Sequence, residues 1–388
     1  MNMPAENHFD VMIIGAGPAG ATAAFILAED GYRVGIIEKK RFPRFKLCGG
    51  LLTQKTVELL EDIFNTATND LRSEGIIHYH SHSYGFGDCN GNFLQGKLVF
   101  PFHFVNREIY DAYWLDKAVK AGAKVFFEES AVNIEIFEGK ITTRTGRRYA
   151  GRYIIAADGV FSMVQSLLYR RGLLKCRRRK HIAAALELAI PRNCMSDPND
   201  YPCIYSGYVP WGYAWSFPGP QYQVLGMCCL KQRTFLSFNS RFARFLKDQE
   251  VSLKSFSNPK GYGLPYGNYI RKAGYNNILL IGDAGGFADP ILGEGIYYAH
   301  RSAQLAAEAI KQSCRNPVEA HKIYGQLIKE NFITELKYLR IIRCFLFSLP
   351  VQPQSKLLRL MFKNIPRKLE KAVQRKRSFK LLLPDTRN

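Results

Sequence analysis

Apolar residues fall along this chain in two rhythms. The first consists of short unbroken runs, at Val11–Ile14, Arg33–Ile37, Tyr153–Ala157 and Asn277–Ile281. Runs of this length, bounded by glycine or charge, predict strands covered on both faces. Between the first two, Pro18–Asp30 opens on proline and continues through alanine, isoleucine and leucine, as a helix does. Strand, helix and strand together form a βαβ opening. Arg107–Ala121 and the alanine-rich Ile296–Lys311 also repeat with helical period, and Lys124–Ile136 with Lys140–Thr145 predict a strand pair.

The second rhythm runs from Ile182 to about Tyr262. It is rich in Tyr, Phe, Pro and β-branched residues broken by turns, which predicts a mostly antiparallel sheet. After about Asn316 the chain is helical and basic to its end. The fold class is therefore α/β: a Rossmann-like nucleotide-binding unit, an antiparallel β-sheet domain and a C-terminal helical region. At 388 residues the chain is long enough for two interlocked domains. No internal repeat or low-complexity tract is visible.

Charge changes this picture in one place. The net charge is +21, and from His321 to Asn388 there are 16 Lys/Arg against 4 Asp/Glu. A smaller basic cluster spans Arg170–Lys180. Such an excess points to anionic partners. The tail segments "LKYLRIIRCFLFSL" and "KLLRLMFKNIPRKLEKAVQRKR" mix cations with Leu, Ile and Phe at near-helical spacing, which suits an anionic membrane surface. No nucleic-acid module is visible. No signal peptide or run of about 18 apolar residues appears, so the expected place is the cytoplasm, peripheral on the inner face of the membrane. The nine cysteines include no CxxC pair, and most read as small buried apolar groups under reducing conditions.

The chemistry begins at Gly15, Gly17 and Gly20, a GxGxxG between strand and helix. The first glycine allows the turn, the second close approach of a pyrophosphate, and the third helix–strand packing. Glu38 ends the next strand 18 residues after Gly20, where an acid accepts from an adenosine ribose. Asp158–Gly159 follows one later strand and Gly282–Asp283 another, each placing an acid where a ribityl or ribose hydroxyl can be bound. The helix that starts near Gly295 aims its N-terminus at negative charge. "GFGDCNG" (Gly85–Gly91) lacks a preceding buried strand and is read as a turn, so no second nucleotide fingerprint is apparent. "HYHSH" (His78, His80, His82) puts three imidazoles two apart on a strand, a spacing that seldom chelates one ion. It is read as a polar strand of the second domain, with no metal expected.

These three motifs, in this order from Gly15 to Gly295, resemble the FAD-binding fold of the para-hydroxybenzoate hydroxylase superfamily. Within it, Lys46-Leu47-Cys48-Gly49-Gly50 resembles the thiol loop of the geranylgeranyl reductase family. Tyr213-Ala214-Trp215-Ser216-Phe217-Pro218 matches that family's YxWxFP pattern, and Gly263–Gly267 resembles its proline turn. The resemblance implies FAD bound by a discontinuous domain at 1–75, 101–175 and 266–315. It implies a substrate domain at 76–100 and 176–265, and a basic helical region at 316–388. The implied cofactor residues are Gly15, Gly17, Ala19, Gly20, Glu38, Lys39, Cys48, Gly49, Gly50, Arg107, Val132, Asp158, Gly159, Gly282, Asp283, Gly293, Gly295 and Ile296.

Cys48, Tyr213 and Trp215 are the implied catalytic residues. Gly49 and Gly50 would let the backbone pass near the flavin. Cys48 would tune the flavin, sense redox state or donate a proton, unless it is simply a packed thiol. Tyr213, Trp215 and Phe217 alternate along a strand and would wall an apolar tunnel. The implied reaction is reduction of carbon–carbon double bonds in a prenyl lipid, with NAD(P)H or ferredoxin as electron donor. Two other readings stand beside it. A monooxygenase or halogenase of the same superfamily is one, although halogenases carry WxWxIP where this chain has YAWSFP. A non-catalytic flavin redox sensor is the other.

Overall fold

The computed structural model describes residues 7–175, 182–230, 237–251 and 258–364. Its first sheet is built on the βαβ opening. Strand His8–Ile14 lies between Val34–Glu38 and Arg148–Ala156, parallel to both, with Ile13 opposite Ile36 and Ile155. Ile278–Leu280 extends the parallel set beyond Arg148–Ala156. Val11, Met12, Ile13 and Ile36 are fully buried. The helix Pro18–Glu29 packs against both Arg107–Lys120 and Ile296–Arg315, and the three form one layer of the domain.

The predicted strand Lys124–Ile136, expected to pair with Lys140–Thr145, is two separate strands. Lys124–Phe127 joins the parallel sheet beside Val34–Glu38, while Ala131–Glu135 pairs with Lys140–Thr143. The break is local: Glu128 sits at φ 61°, and the next amide, that of Glu129, bonds the Glu38 carbonyl. Positive φ in a non-glycine residue ends an extended run.

The second sheet runs in the order Lys260–Pro265, Ile182–Pro191, Tyr222–Leu230, Gly212–Pro218, Cys203–Ser206, Ile77–Asp88, Phe93–Val105 and Leu51–Leu52. All its pairs are antiparallel except Cys203–Ser206 with Ile77–Asp88. Two features differ from expectation. Gly85–Asp88 belong to a strand and not a turn. A Cβ on Gly85 would lie 2.7 Å from the Phe93 ring, and one on Gly87 2.6 Å from the Tyr205 ring, so these glycines make room for aromatic packing on the sheet. Leu51–Leu52, just after the thiol loop, is an edge strand of this second sheet, so the loop itself links the two units.

His78, His80 and His82 do lie on strand Ile77–Asp88, and among the described residues no group of three or more His, Cys, Asp or Glu could hold a metal ion. The expectation of buried cysteines holds for Cys203, Cys228 and Cys229, whereas Cys194, Cys314 and Cys344 are exposed.

The C-terminal region is helical as predicted, over Ala320–Ile328, Thr334–Ser348 and Val351–Asn364. The basic residues after 364 and the 176–181 part of the Arg170–Lys180 cluster lie outside the described residues. Helix Thr334–Ser348 is pinned by Arg343, a fully buried cation that donates to the Tyr266 carbonyl. Helix Val351–Asn364 is joined to the second sheet by a buried Ser355–Ser206 hydrogen bond of 2.8 Å. Among the described residues no helix is long and apolar enough to cross a membrane.

Candidate active site

Both sheets and the helices Thr334–Ser348 and Val351–Asn364 open onto one cavity of about 1510 Å³. Of the residues expected to hold cofactor, all but Gly20 and Gly282 line it. Gly20 lies behind the wall because it does the packing: a Cβ there would lie 1.9 Å from the Gly15 carbonyl oxygen. Gly282, at φ 53°, instead gives its amide to Ser302 at 2.9 Å. Gly15 turns at φ 101°. Gly17 is the open one; its nearest neighbour would be Arg44, 3.5 Å from an added Cβ. The three glycines thus divide the work as their spacing predicts.

The polar part of the wall fits a dinucleotide. Helices Pro18–Glu29 and Ile296–Arg315 start there without a side-chain cap or an acid in the first turn. Their free amides and dipoles suit anionic groups. Arg44 and Arg107 share one carboxylate, Asp111, at 3.2 and 2.7 Å. Two cations against one anion leave positive charge beside Gly17. Burial pulls the Arg107 guanidinium down, but Asp111 and Cys48 outweigh it and raise it further above its ordinary value. Glu38 is buried and fixed by the amides of Ala16 at 2.8 Å and Lys40 at 3.0 Å. Asp158 uses Oδ2 to cap the helix at Met163, at 2.7 Å, while its buried Oδ1 has no protein partner. Burial pushes this carboxyl up. An orphaned buried oxygen is costly unless a ligand hydroxyl meets it.

The thiol loop is held on every side. The Cys48 amide donates to Glu187 Oε1 at 3.3 Å, and its Sγ accepts from the Gly50 amide at 3.4 Å. The two glycines have a reason other than the expected one. A Cβ on Gly49 would lie 2.5 Å from the Phe217 ring, and one on Gly50, at φ 68°, would lie 2.1 Å from the Val105 carbonyl. Protein neighbours therefore demand both glycines before any cofactor arrives.

Tyr213, Trp215 and Phe217 share one face of strand Gly212–Pro218, with successive ring centroids 5.9 and 6.2 Å apart, and all three line the cavity. The Tyr213 hydroxyl donates to the Leu292 carbonyl, and burial raises it well above its ordinary value. That makes Tyr213 a strut for the Gly293–Gly295 loop, with its proton already committed. The cavity continues past this wall to Leu339, Ile342, Phe345, Leu346, Leu357 and Met361 of the C-terminal helices.

Sequence reasoning missed three residues of this wall: Arg44, Lys46 and Glu187. Lys46 lies 3.3 Å above the Tyr262 ring, and its ammonium is brought down to about 8 by burial, against the pull of Asp283. Lys46 opens the quoted thiol motif and Arg44 lies two residues before it, so both were within reach. Glu187 comes from a distant strand with no motif around it.

Comparison with known proteins agrees with this geometry. Residues 8–172 match the model of an FAD binding domain. A digeranylgeranylglycerophospholipid reductase of Methanococcus aeolicus is 25% identical over 88% of this chain and 88% of its own. A tryptophan 2-halogenase of Chondromyces crocatus is 27% identical over 86% of this chain but 67% of its own. The crystal structure of a geranylgeranyl bacteriochlorophyll reductase-like protein from Thermoplasma acidophilum superposes with a TM-score of 0.79 at 23% identity, covering 94% and 98% of the two chains. With the FAD motifs, the thiol loop and the aromatic strand assembled around one cavity, the chain is an FAD-dependent oxidoreductase similar to geranylgeranyl reductases.

Proposed function

We propose that this oxidoreductase saturates isolated carbon–carbon double bonds in a prenyl lipid of the geranylgeranyl type. The observation that carries the reading is the continuity of the cavity. Its volume of about 1510 Å³ exceeds the roughly 300–1,000 Å³ of ordinary small-molecule sites, and its far wall is aromatic and aliphatic. That leaves room for an oily chain beside the cofactor. An unactivated alkene offers no carbonyl to polarise, so the protein must work by proximity in a dry, shaped cavity.

In this reading FAD is held by Gly15, Gly17, Ala19, Glu38, Lys39, Val132, Arg107, Asp158, Gly159, Asp283, Gly293, Gly295 and Ile296. Gly20 and Gly282 support it from behind. Once reduced, FAD supplies hydride. Trp215 and Phe217 press on Gly49 and wall the chain's path, Tyr213 holds the Gly293–Gly295 loop, and Cys48 presents its thiol at the junction. The electron donor is NAD(P)H or ferredoxin. The lipid reaches the cavity from an anionic membrane surface. Phe345 and Ile341 are 64% and 50% exposed on the helix that also lines the cavity, and basic residues flank them.

Anaerobic incubation of the chemically reduced protein with a prenyl lipid tests the reading. The expected product is heavier by two hydrogens per bond, without oxygen. Oxygen consumed in step with product would instead favour the monooxygenase or halogenase chemistry of related proteins. Neither product nor oxygen uptake would leave the sensor reading.

A further inference from the structure

One carboxyl in this site has no assigned part. Glu187 sits on strand Ile182–Pro191, next to the edge strand Lys260–Pro265 of the second sheet, and lines the cavity. Its Oε1 accepts the Cys48 amide at 3.3 Å. Its Oε2 is buried and without a protein partner. The sheet register explains how this arises. Glu187 lies opposite Gly226, and Gly226 opposite Trp215, so the three form one row on one face. The Trp215 indole lies over Gly226: a Cβ there would be 2.1 Å from the ring and 2.7 Å from Nε1. That Nε1 is also buried and unpartnered. The absent side chain at Gly226 therefore leans the indole across the row towards Glu187, and Gly49 closes the other side, its added Cβ 3.4 Å from Nε1.

An ionised carboxylate with one buried oxygen and no protein donor to it is costly, and a proton removes that cost. We propose that Glu187 is the proton donor of the reduction: its neutral carboxyl, clasped to the thiol loop, gives its proton to the alkene carbon that does not receive hydride. This rests on the reductase reading above. The step balances. The O–H bond of Glu187 breaks and its pair stays on the carboxylate; the π pair of the alkene forms the C–H bond to that proton, and the hydride brings its own pair for the C–H bond on the neighbouring carbon. The alkene is reduced, the flavin is oxidised, and cavity water reprotonates the carboxylate.

The surroundings favour a neutral acid at working pH. Burial pushes the Glu187 carboxyl up to about 7, against the Cys48 amide and the Arg107 charge, which pull it down. The other groups on neighbouring elements are Lys46 in the thiol loop, Asp111 behind Arg107, and Lys260 and Tyr262 on the adjacent strand. The acid is thus present below about pH 7 and lost above it.

The test uses the FAD-loaded protein and three forms, wild type, Glu187→Gln and Glu187→Asp. An infrared titration without substrate should show a carboxylic C=O band in the wild type that fades with a midpoint of about 7 and is missing in E187Q. Single-turnover reduction of a prenyl lipid should fall by at least about 100-fold in E187Q with flavin content and lipid binding unchanged. The wild-type rate should drop above neutral pH, and E187D should recover part of it. An ionised Glu187 throughout the neutral range, or an E187Q protein with full rate and an unchanged pH profile, overturns the proposal. A titrating band in a protein that reduces no prenyl lipid would support the held proton while sinking the substrate reading, so the two failures are separable.

Discussion

The two walls of the cavity are made of different material. On the cofactor side the functional groups are largely backbone: uncapped helix starts at Pro18 and Ile296 and the turn at Gly15. On the substrate side they are side chains from strands far apart in sequence: Glu187, Trp215, Phe217 and the helical Phe345. Backbone groups are fixed by their neighbours in the chain, so a motif of six residues specifies them. Side chains on adjacent strands meet only through register. The first wall therefore tolerates little change and serves one cofactor. The second can be redrawn strand by strand, in keeping with a fold that reductases and halogenases share.

Substitutions can break or sharpen this contrast. The largest effect is expected for Gly20→Ala, where the new methyl would lie 1.9 Å from a backbone oxygen. Loss of more than about 4 kcal/mol and of bound flavin is expected by denaturant melts and visible absorbance. A stable yellow variant would show that the backbone wall is softer than described. Gly49→Ala pushes on the Phe217 ring from 2.5 Å, so overpacking should cost about 1–3 kcal/mol. Flavin should remain while turnover falls, which flavin content and single-turnover rate would show side by side. Tyr213→Phe leaves the Leu292 carbonyl without its donor and should cost about 1 kcal/mol or somewhat more. Turnover should survive because that hydroxyl is a strut. A complete loss of rate at normal stability would return it to the chemistry. Cys48→Ala should alter stability least, within about 1 kcal/mol, keep FAD, and change the flavin's reduction behaviour.

The same contrast explains what could be read in advance. The GxGxxG turn, Glu38 and the two acid–glycine pairs encode local backbone geometry, and Gly15, Gly17, Glu38, Asp158, Gly159 and Asp283 all line the cavity, with Gly20 and Gly282 behind its wall. The division of the Lys124–Ile136 run turned on a single φ at Glu128, which no apolar pattern encodes. Gly85 and Gly87 looked like a turn because their packing partners, Phe93 and Tyr205, sit on other strands. Glu187 was invisible for the same reason. Nothing in "AALELAI" signals that Cys48, 139 positions earlier, will present its amide there. Arg107 was legible as a cavity residue but not as half of a two-arginine clamp on Asp111, since Arg44 comes from another segment.

Arg343 carries a last consequence. This cation is sealed under its helix and bound to the carbonyl of Tyr266. Lifting the helix like a hatch would strip a charged group of the Tyr266 carbonyl and expose it to a costly rearrangement of several kcal/mol. Traffic of a long greasy guest is thus better served by a slit than by a door. In the reading proposed above, the guest would thread end-first between the helices past the exposed Ile341 and Phe345 side chains, and a chain ending in a broad rigid ring system would be turned away.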